Sequence, residues 1–220
     1  EVYDVEENSW EMVETKLPYG REDHCGGFIQ GYVIITGGTV MGDSAKSALC
    51  DLYDVEKNTW KQMPSMSTKR YRPGSAVVGD YFFVFGGSNG PYLNSCEAFN
   101  IKEKSWGMMP SMKVARYDVG VAVIGNKIFV IGGFDGHPVN SVEVFDTEVM
   151  KWDSMSPMPS ARQGMGVAVV GDRFIWVFGG YDNQKFLDTV EVLDSVDNKW
   201  SFPDVKLPNP RYSSQAVTLS

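Results

Sequence analysis

The feature that most limits how this chain can fold is a short apolar run closed by a glycine pair, and it occurs four times. Val33-Ile34-Ile35-Thr36 ends in Gly37-Gly38, and Phe82-Phe83-Val84-Phe85 ends in Gly86-Gly87. Ile128-Phe129-Val130-Ile131 ends in Gly132-Gly133, and Ile175-Trp176-Val177-Phe178 ends in Gly179-Gly180. The pairs begin at 37, 86, 132 and 179, at intervals of 49, 46 and 47 residues. A period of that length marks a repeated structural unit stacked on copies of itself. The runs are apolar without alternation, so each reads as a strand buried on both faces.

The stretch 116–158 gives the whole unit. Gly120 to Ile124, small and β-branched, reads as a first strand, and Gly125-Asn126-Lys127 as a tight turn. Ile128 to Ile131 is the second strand. A loop from Phe134 to Asn140 follows the glycines, then a third strand from Val142 to Phe145 and a fourth carrying Trp152, stopped by Pro159. Helical periodicity is absent throughout, and the expectation is an all-β chain.

Other residues recur in phase. They are Arg21, Arg70, Arg116, Arg162 and Arg211; Glu1, Asp51, Glu97, Glu143 and Glu191; then, two residues after each acid, Tyr3, Tyr53, Phe99, Phe145 and Leu193. The phased tryptophans are Trp10, Trp60, Trp106, Trp152 and Trp200, while Trp176 is out of phase and reads as core. A tryptophan buries roughly 150–250 Å², so the phased set is expected to be the main filler between sheets. Acids and arginines present in every copy are expected to satisfy backbone groups or each other at the seams. The glycine pairs are expected where the backbone turns sharply or is crowded.

Taken together, a glycine doublet after an apolar strand, an acid two residues before an aromatic, and then a tryptophan resemble the Kelch repeat, one blade of a β-propeller. The resemblance spans the chain. The recurring features give four complete blades, 21–66, 70–112, 116–158 and 162–203, and an incomplete fifth split between 1–13 and 207–220, which reads as a nearly closed five-bladed ring. Since Kelch propellers usually have six blades, the alternative is a fragment of a six-bladed propeller.

Composition narrows the function. The net charge is −8 without a Lys/Arg run, which argues against nucleic acid and anionic lipid as partners. The longest apolar stretch, 164–180, is broken by Asp172 and Arg173 and cannot span a bilayer. Three cysteines without a CxxC spacing read as small buried apolar residues and favour a cytoplasmic setting. The chain opens inside a unit, as a piece of a longer protein would. His24 and His137 lie at unrelated phases, and the common catalytic motifs are missing, so neither a metal, nor a cofactor, nor catalysis is expected.

Connectivity alone places the arginine segments and the post-glycine loops on one face, where recognition is expected. From the arginine segments the candidates are Glu22, Tyr71, Arg72, Tyr117, Gln163 and Tyr212. From the post-glycine loops they are Thr39, Ser88, Asn89, Phe134, Asp135, His137, Tyr181 and Asn183. The first such loop, Thr39 to Ala48, is the longest and the most suited to a specific partner. Arg72 departs from the repeat: its equivalents are Asp23, Asp118, Gly164 and Ser213. Resemblance to Kelch adaptors that bind acidic peptides implies that Arg72 meets a partner carboxylate, although its acidic equivalents argue against a strongly acidic ligand. The resemblance implies a non-enzymatic module binding a protein or peptide. It implies more specifically the substrate-recognition domain of a Cullin-3 ubiquitin ligase adaptor, reached through a BTB domain outside this sequence. An actin- or cytoskeleton-binding Kelch protein is the alternative, and a Kelch-fold enzyme a remote one.

Overall fold

The computed structural model describes residues 2–42 and 45–216, and all regular structure in them is β-strand. Four antiparallel sheets follow one another, each with its strands in sequence order. The first unit holds Cys25–Ile29, Tyr32–Thr36, Cys50–Asp54 and Thr59–Met63. The second holds Gly74–Val78, Tyr81–Phe85, Cys96–Asn100 and Ser105–Met109, and the third Gly120–Ile124, Lys127–Ile131, Val142–Asp146 and Lys151–Met155. The fourth holds Gly166–Val170, Phe174–Phe178, Leu187–Asp194 and Lys199–Ser201. The innermost strands line one cavity of about 600 Å³, together with Gln215 and Ala216.

The ends of the chain take different courses. Val2–Asp4 pairs with Ser9–Glu11 in a two-stranded sheet. In the complete units, the arginine N–H donates to a carbonyl just before the preceding unit's third strand: Arg70 to Ser47 at 3.0 Å and Arg116 to Leu93 at 3.0 Å. After the fourth unit this crossing lengthens into a strand, Lys206–Arg211, which pairs with Thr189 and Leu187. Lys206 to Arg211 therefore belongs with the fourth sheet, and among the described residues no ladder joins the tail to the N-terminal hairpin. Glu1, Asp43, Ser44 and 217–220 lie outside the described residues.

Strand alternation explains why both faces of each sheet are apolar. Phe82 and Val84 face the first unit, in a cluster with Ile34, Leu52, Met63 and Met66. Phe83 and Phe85, the intervening residues of the same strand, face the third unit, in a cluster with Ile128, Val130 and Phe145. Phe129 and Ile131 then join Ile175, Val177 and Leu193 of the fourth unit. The three apolar clusters are thus all shared between neighbouring units.

The tryptophans correct the expectation that they are the main filler. Trp60, Trp106, Trp152 and Trp200 are half-buried and Trp10 is 68% exposed, whereas Phe82, Phe85, Phe99 and Phe145 are fully buried. The indoles act instead as latches. Trp106 Nε1 donates to Pro64 O at 2.8 Å, Trp152 Nε1 to Pro110 O at 2.8 Å and Trp200 Nε1 to Ser156 O at 2.9 Å, each reaching the preceding unit. Trp60 Nε1 is buried without such a partner. Trp176, on the outward side of the fourth sheet, is half-buried and stacks on Phe178.

Arg70, Arg116 and Arg162 are the largest fully buried side chains and Arg21 is 7% exposed; these four each meet the acid of their own unit, whereas Arg211 is exposed. Arg21 reaches Asp51 at 2.5 Å, Arg70 Glu97 at 3.0 Å and Arg162 Glu191 at 2.5 Å, and Arg116 bonds to Glu143. The guanidinium also donates to the carbonyl of the first glycine of the pair, as from Arg70 to Gly86 at 2.7 Å and from Arg162 to Gly179 at 2.9 Å. That multiplicity of bonds is what makes a buried charge tolerable.

The glycine pair has two distinct reasons to exist. Both residues take positive φ, +58° and +99° at Gly132 and Gly133. A Cβ on Gly132 would also lie 2.6 Å from the carbonyl oxygen of Arg162 in the next unit. The N–H of Gly133 donates to that same carbonyl at 2.9 Å. One glycine makes room and the next makes the bond.

Candidate functional site

The predicted loops do gather on one face. Each post-glycine loop folds back as a small bridge to its own arginine segment: Tyr71 opposite Ser88, Tyr117 opposite Phe134, and Gln163 opposite Tyr181. In the first unit Glu22 pairs with Thr39. A second bridge closes each loop, joining Ser88 to Tyr92, Phe134 to Pro138, Tyr181 to Phe186 and Thr39 to Lys46.

The result is two aromatic ledges. In one, Tyr117 packs 5.5 Å from Phe134, 5.6 Å from Tyr92 and 6.2 Å from Tyr71, measured between ring centroids. In the other, Tyr212 lies 5.9 Å from both Tyr181 and Phe186. Phe186, at 55% exposed, and Tyr92, at 38%, offer the most open aromatic faces. Neither was among the sequence candidates. Both close a loop, and loops of unequal length hide that shared position from a search by phase. Lys46 completes the first ledge, over the Tyr71 ring and 3.1 Å from Ser88 Oγ.

Arg72 stands between the ledges, and although it departs from the repeat it is built into the scaffold. Its guanidinium lies 5.4 Å from the Tyr71 ring and 5.7 Å from the Tyr212 ring. Nε donates to Asp23 at 2.7 Å, and Nη1 donates to Tyr212 Oη at 2.5 Å and to Asp118 at 3.4 Å. The Tyr212 hydroxyl in turn donates to Asp118 at 2.8 Å. Burial opposes the charge on Arg72, but Asp118, Asp23 and Tyr212 outweigh it and raise its pKa. Burial likewise raises the pKa of Asp118, an effect that Tyr212 and Arg72 only partly offset, and pushes the Tyr212 phenol up to about 12. Arg72 already holds two carboxylates of its own chain, so its charge is spent within the fold.

The backbone explains why these residues meet. Asp23, Arg72, Asp118, Gly164 and Ser213 all take left-handed φ, from 45° to 60°. In that conformation the N–H groups of three of them reach the preceding unit: Arg72 to Asp23 O at 2.9 Å, Asp118 to Arg72 O at 3.0 Å, Gly164 to Asp118 O at 3.0 Å. Same-phase residues of successive units are linked in a chain of hydrogen bonds, which brings Asp23 and Asp118 to either side of Arg72.

The remaining candidates divide by exposure. Glu22, Asn89, His137 and Asn183 are exposed. Thr39, Tyr71, Tyr117, Phe134, Asp135, Tyr181 and Tyr212 are half-buried. Ser88 and Gln163 are each 6% exposed and support the loops from beneath. His137 bonds to Asp135 within its own loop. The cysteines are free and buried, and burial pushes the thiols of Cys25 and Cys96 up to about 12.

Comparison with known proteins agrees with this architecture. The family model described as the KLHDC2/KLHL20/DRC7 Kelch-repeats domain matches residues 1–133 and 109–220. The chain belongs to the Kelch-repeat family. Kelch-like protein 36 of Mus musculus is 30% identical over 89 residues, 39% of this chain and 14% of the relative. An influenza virus NS1A-binding protein homolog of Xenopus laevis is 33% identical over 84 residues, 38% of this chain and 13% of the relative. The matched stretch therefore spans about a seventh of these curated relatives. The four sheets are Kelch blades, and Kelch domains are in general protein-interaction modules.

Proposed function

We propose that this chain is a non-enzymatic protein-binding module whose loop face captures a protein or peptide ligand. The observation that carries this reading is a contrast between scaffold and loops. The arginine–acid pairs and glycine doublets repeat from unit to unit, while the aromatic residues above them differ in identity and position. Exposed Tyr and Phe on a rigid support are typical anchors of binding surfaces. Arg72 sets the ledges apart and holds them still. The net charge of −8 speaks against nucleic acid and anionic membrane as ligands, among the described residues no helix is long and apolar enough to cross a membrane, and the free, buried thiols suit the cytoplasm.

More specifically, the likeness to Kelch-like proteins supports a role as the substrate-recognition domain of a Cullin-3 ubiquitin ligase adaptor. Two experiments test the two levels. Proximity labelling with wild type and with Tyr92→Ala/Phe186→Ala should yield partners that the variant loses, with melting unchanged. Retention of the same partners by the variant would place binding on another face. Cullin-3 should co-precipitate with the full-length protein that carries this domain, and its absence there would remove the adaptor role while leaving the binding role intact.

A further inference from the structure

A repeat protein is its own control, because a place where one seam departs from the others stands out. Opposite the loops, the turn between first and second strands meets the turn between third and fourth. Val55 N–H donates to Gly31 O at 3.2 Å in the first unit, and Ile101 N–H to Asp80 O at 3.0 Å in the second. Between these two units the turns frame a groove of about 330 Å³. Its floor is Leu52, Met63 and Ile101, all buried, and Tyr32 stands at its side. Lysines 57, 61 and 104 edge it, together with one carboxylate, Asp54.

Those lysines are not equally available. Among the described residues the lysine ion pairs are Lys57 with Asp54 at 2.7 Å and Lys102 with Asp80 at 2.6 Å. Lys61 on the first unit and Lys104 on the second are left uncommitted, one on each wall. At the next seam the equivalent positions are Gly107 and Met150, and at the last they are Asp153 and Asn198. Two free cations over an apolar floor are particular to this seam, in a chain of net charge −8.

We propose that this groove docks an acidic peptide segment, seating one apolar side chain on Leu52, Met63 and Ile101 with carboxylates at Lys61 and Lys104. The volume is at the low end for a ligand site, which suits a single anchoring residue. The charge at its edges would speed encounter and select an acidic sequence. This second site is separate from the loop face and does not depend on it.

The test uses a fluorescein-labelled Asp-Glu-Leu-Glu-Asp peptide followed by anisotropy at low salt. Lys104 has φ 55°, at a turn position held by Asn58 and Asn198 in other units at φ 52° and 53°, so Lys104→Asn removes the charge while suiting the backbone. The double variant Lys61→Gln/Lys104→Asn should bind about tenfold more weakly or worse and melt no lower than wild type. A peptide with Ser in place of Leu should lose affinity comparably, and Tyr92→Ala/Phe186→Ala should bind the probe as wild type does. The proposal fails if wild type shows no binding up to about 1 mM, if the double variant binds equally well, or if the Ser peptide matches the Leu peptide.

Discussion

Pro159→Ser probes the buried ion pairs through an atom that the fold leaves unserved. In the second and third units, the backbone N–H three residues before the arginine donates to the acid. Ser67 reaches Glu97 Oε2 at 2.7 Å, and Lys113 reaches Glu143 Oε2 at 2.7 Å. In the first and fourth units that position is Pro18 and Pro159, which have no N–H to give. There Asp51 Oδ1 and Glu191 Oε2 are buried without a partner. A hydrogen bond to a charged group contributes about 1.5–3 kcal/mol, while losing a proline costs about 0.4–1 kcal/mol through the freer unfolded chain. The net gain is about 0.5–2.5 kcal/mol, or a rise in Tm of roughly 1–10 °C for a chain of this size. Differential scanning calorimetry reads this directly. Pro159→Ala restores the same N–H and should give the same rise, and in a Glu191→Gln background the gain should shrink toward that of a neutral bond. If both proline variants melt at or below wild type, the repeated N–H is not what stabilises these acids.

Three further outcomes follow from the geometry. Gly125 and Gly132 share φ +58°, but a Cβ at Gly125 meets nothing within 4 Å while one at Gly132 meets the Arg162 carbonyl at 2.6 Å. Gly125→Ala should cost about 1–2 kcal/mol and Gly132→Ala clearly more in denaturant melts; equal costs would deny that crowding fixes the doublet. Trp152→Phe should lose about 1 kcal/mol with its latch to Pro110, whereas Trp60→Phe, which removes a buried unpartnered N–H, should cost less or nothing. The third concerns pH. Because burial holds the folded Asp118 pKa above its unfolded value, its contribution to stability is fully present below the unfolded pKa and is lost as pH rises through the folded one. Wild type should therefore lose ground against Asp118→Asn as pH climbs above the ordinary carboxylate pKa of about 3.9, and a constant difference in Tm would contradict the shift.

Much of this fold is legible in the sequence because each unit repeats its reasons. Non-alternating apolar strands announced burial on both faces, and in-phase arginines and acids announced their pairing, which proved to lie within each unit. The tryptophans misled because size suggests burial, while phase alone does not say that only the indole edge reaches the neighbour. Arg72 misled for another reason. Its partners Asp23 and Asp118 hold the same phase in adjacent units, so the alternation of charge around that position was visible, but the left-handed backbone that joins them was not. Tyr212 reaches the same cluster from 140 residues away, a contact that no local pattern encodes.

The shared clusters have a consequence for how the molecule comes apart. Phe82 and Phe83, adjacent in sequence, belong to different clusters, so no unit owns the apolar mass that stabilises it. Stability then resides in the seams, as in a chain of coupled neighbours. The second and third units are each held by two such seams, and amide hydrogens there should exchange last. A single unit cut free has no interior, so any piece able to fold must carry intact seams.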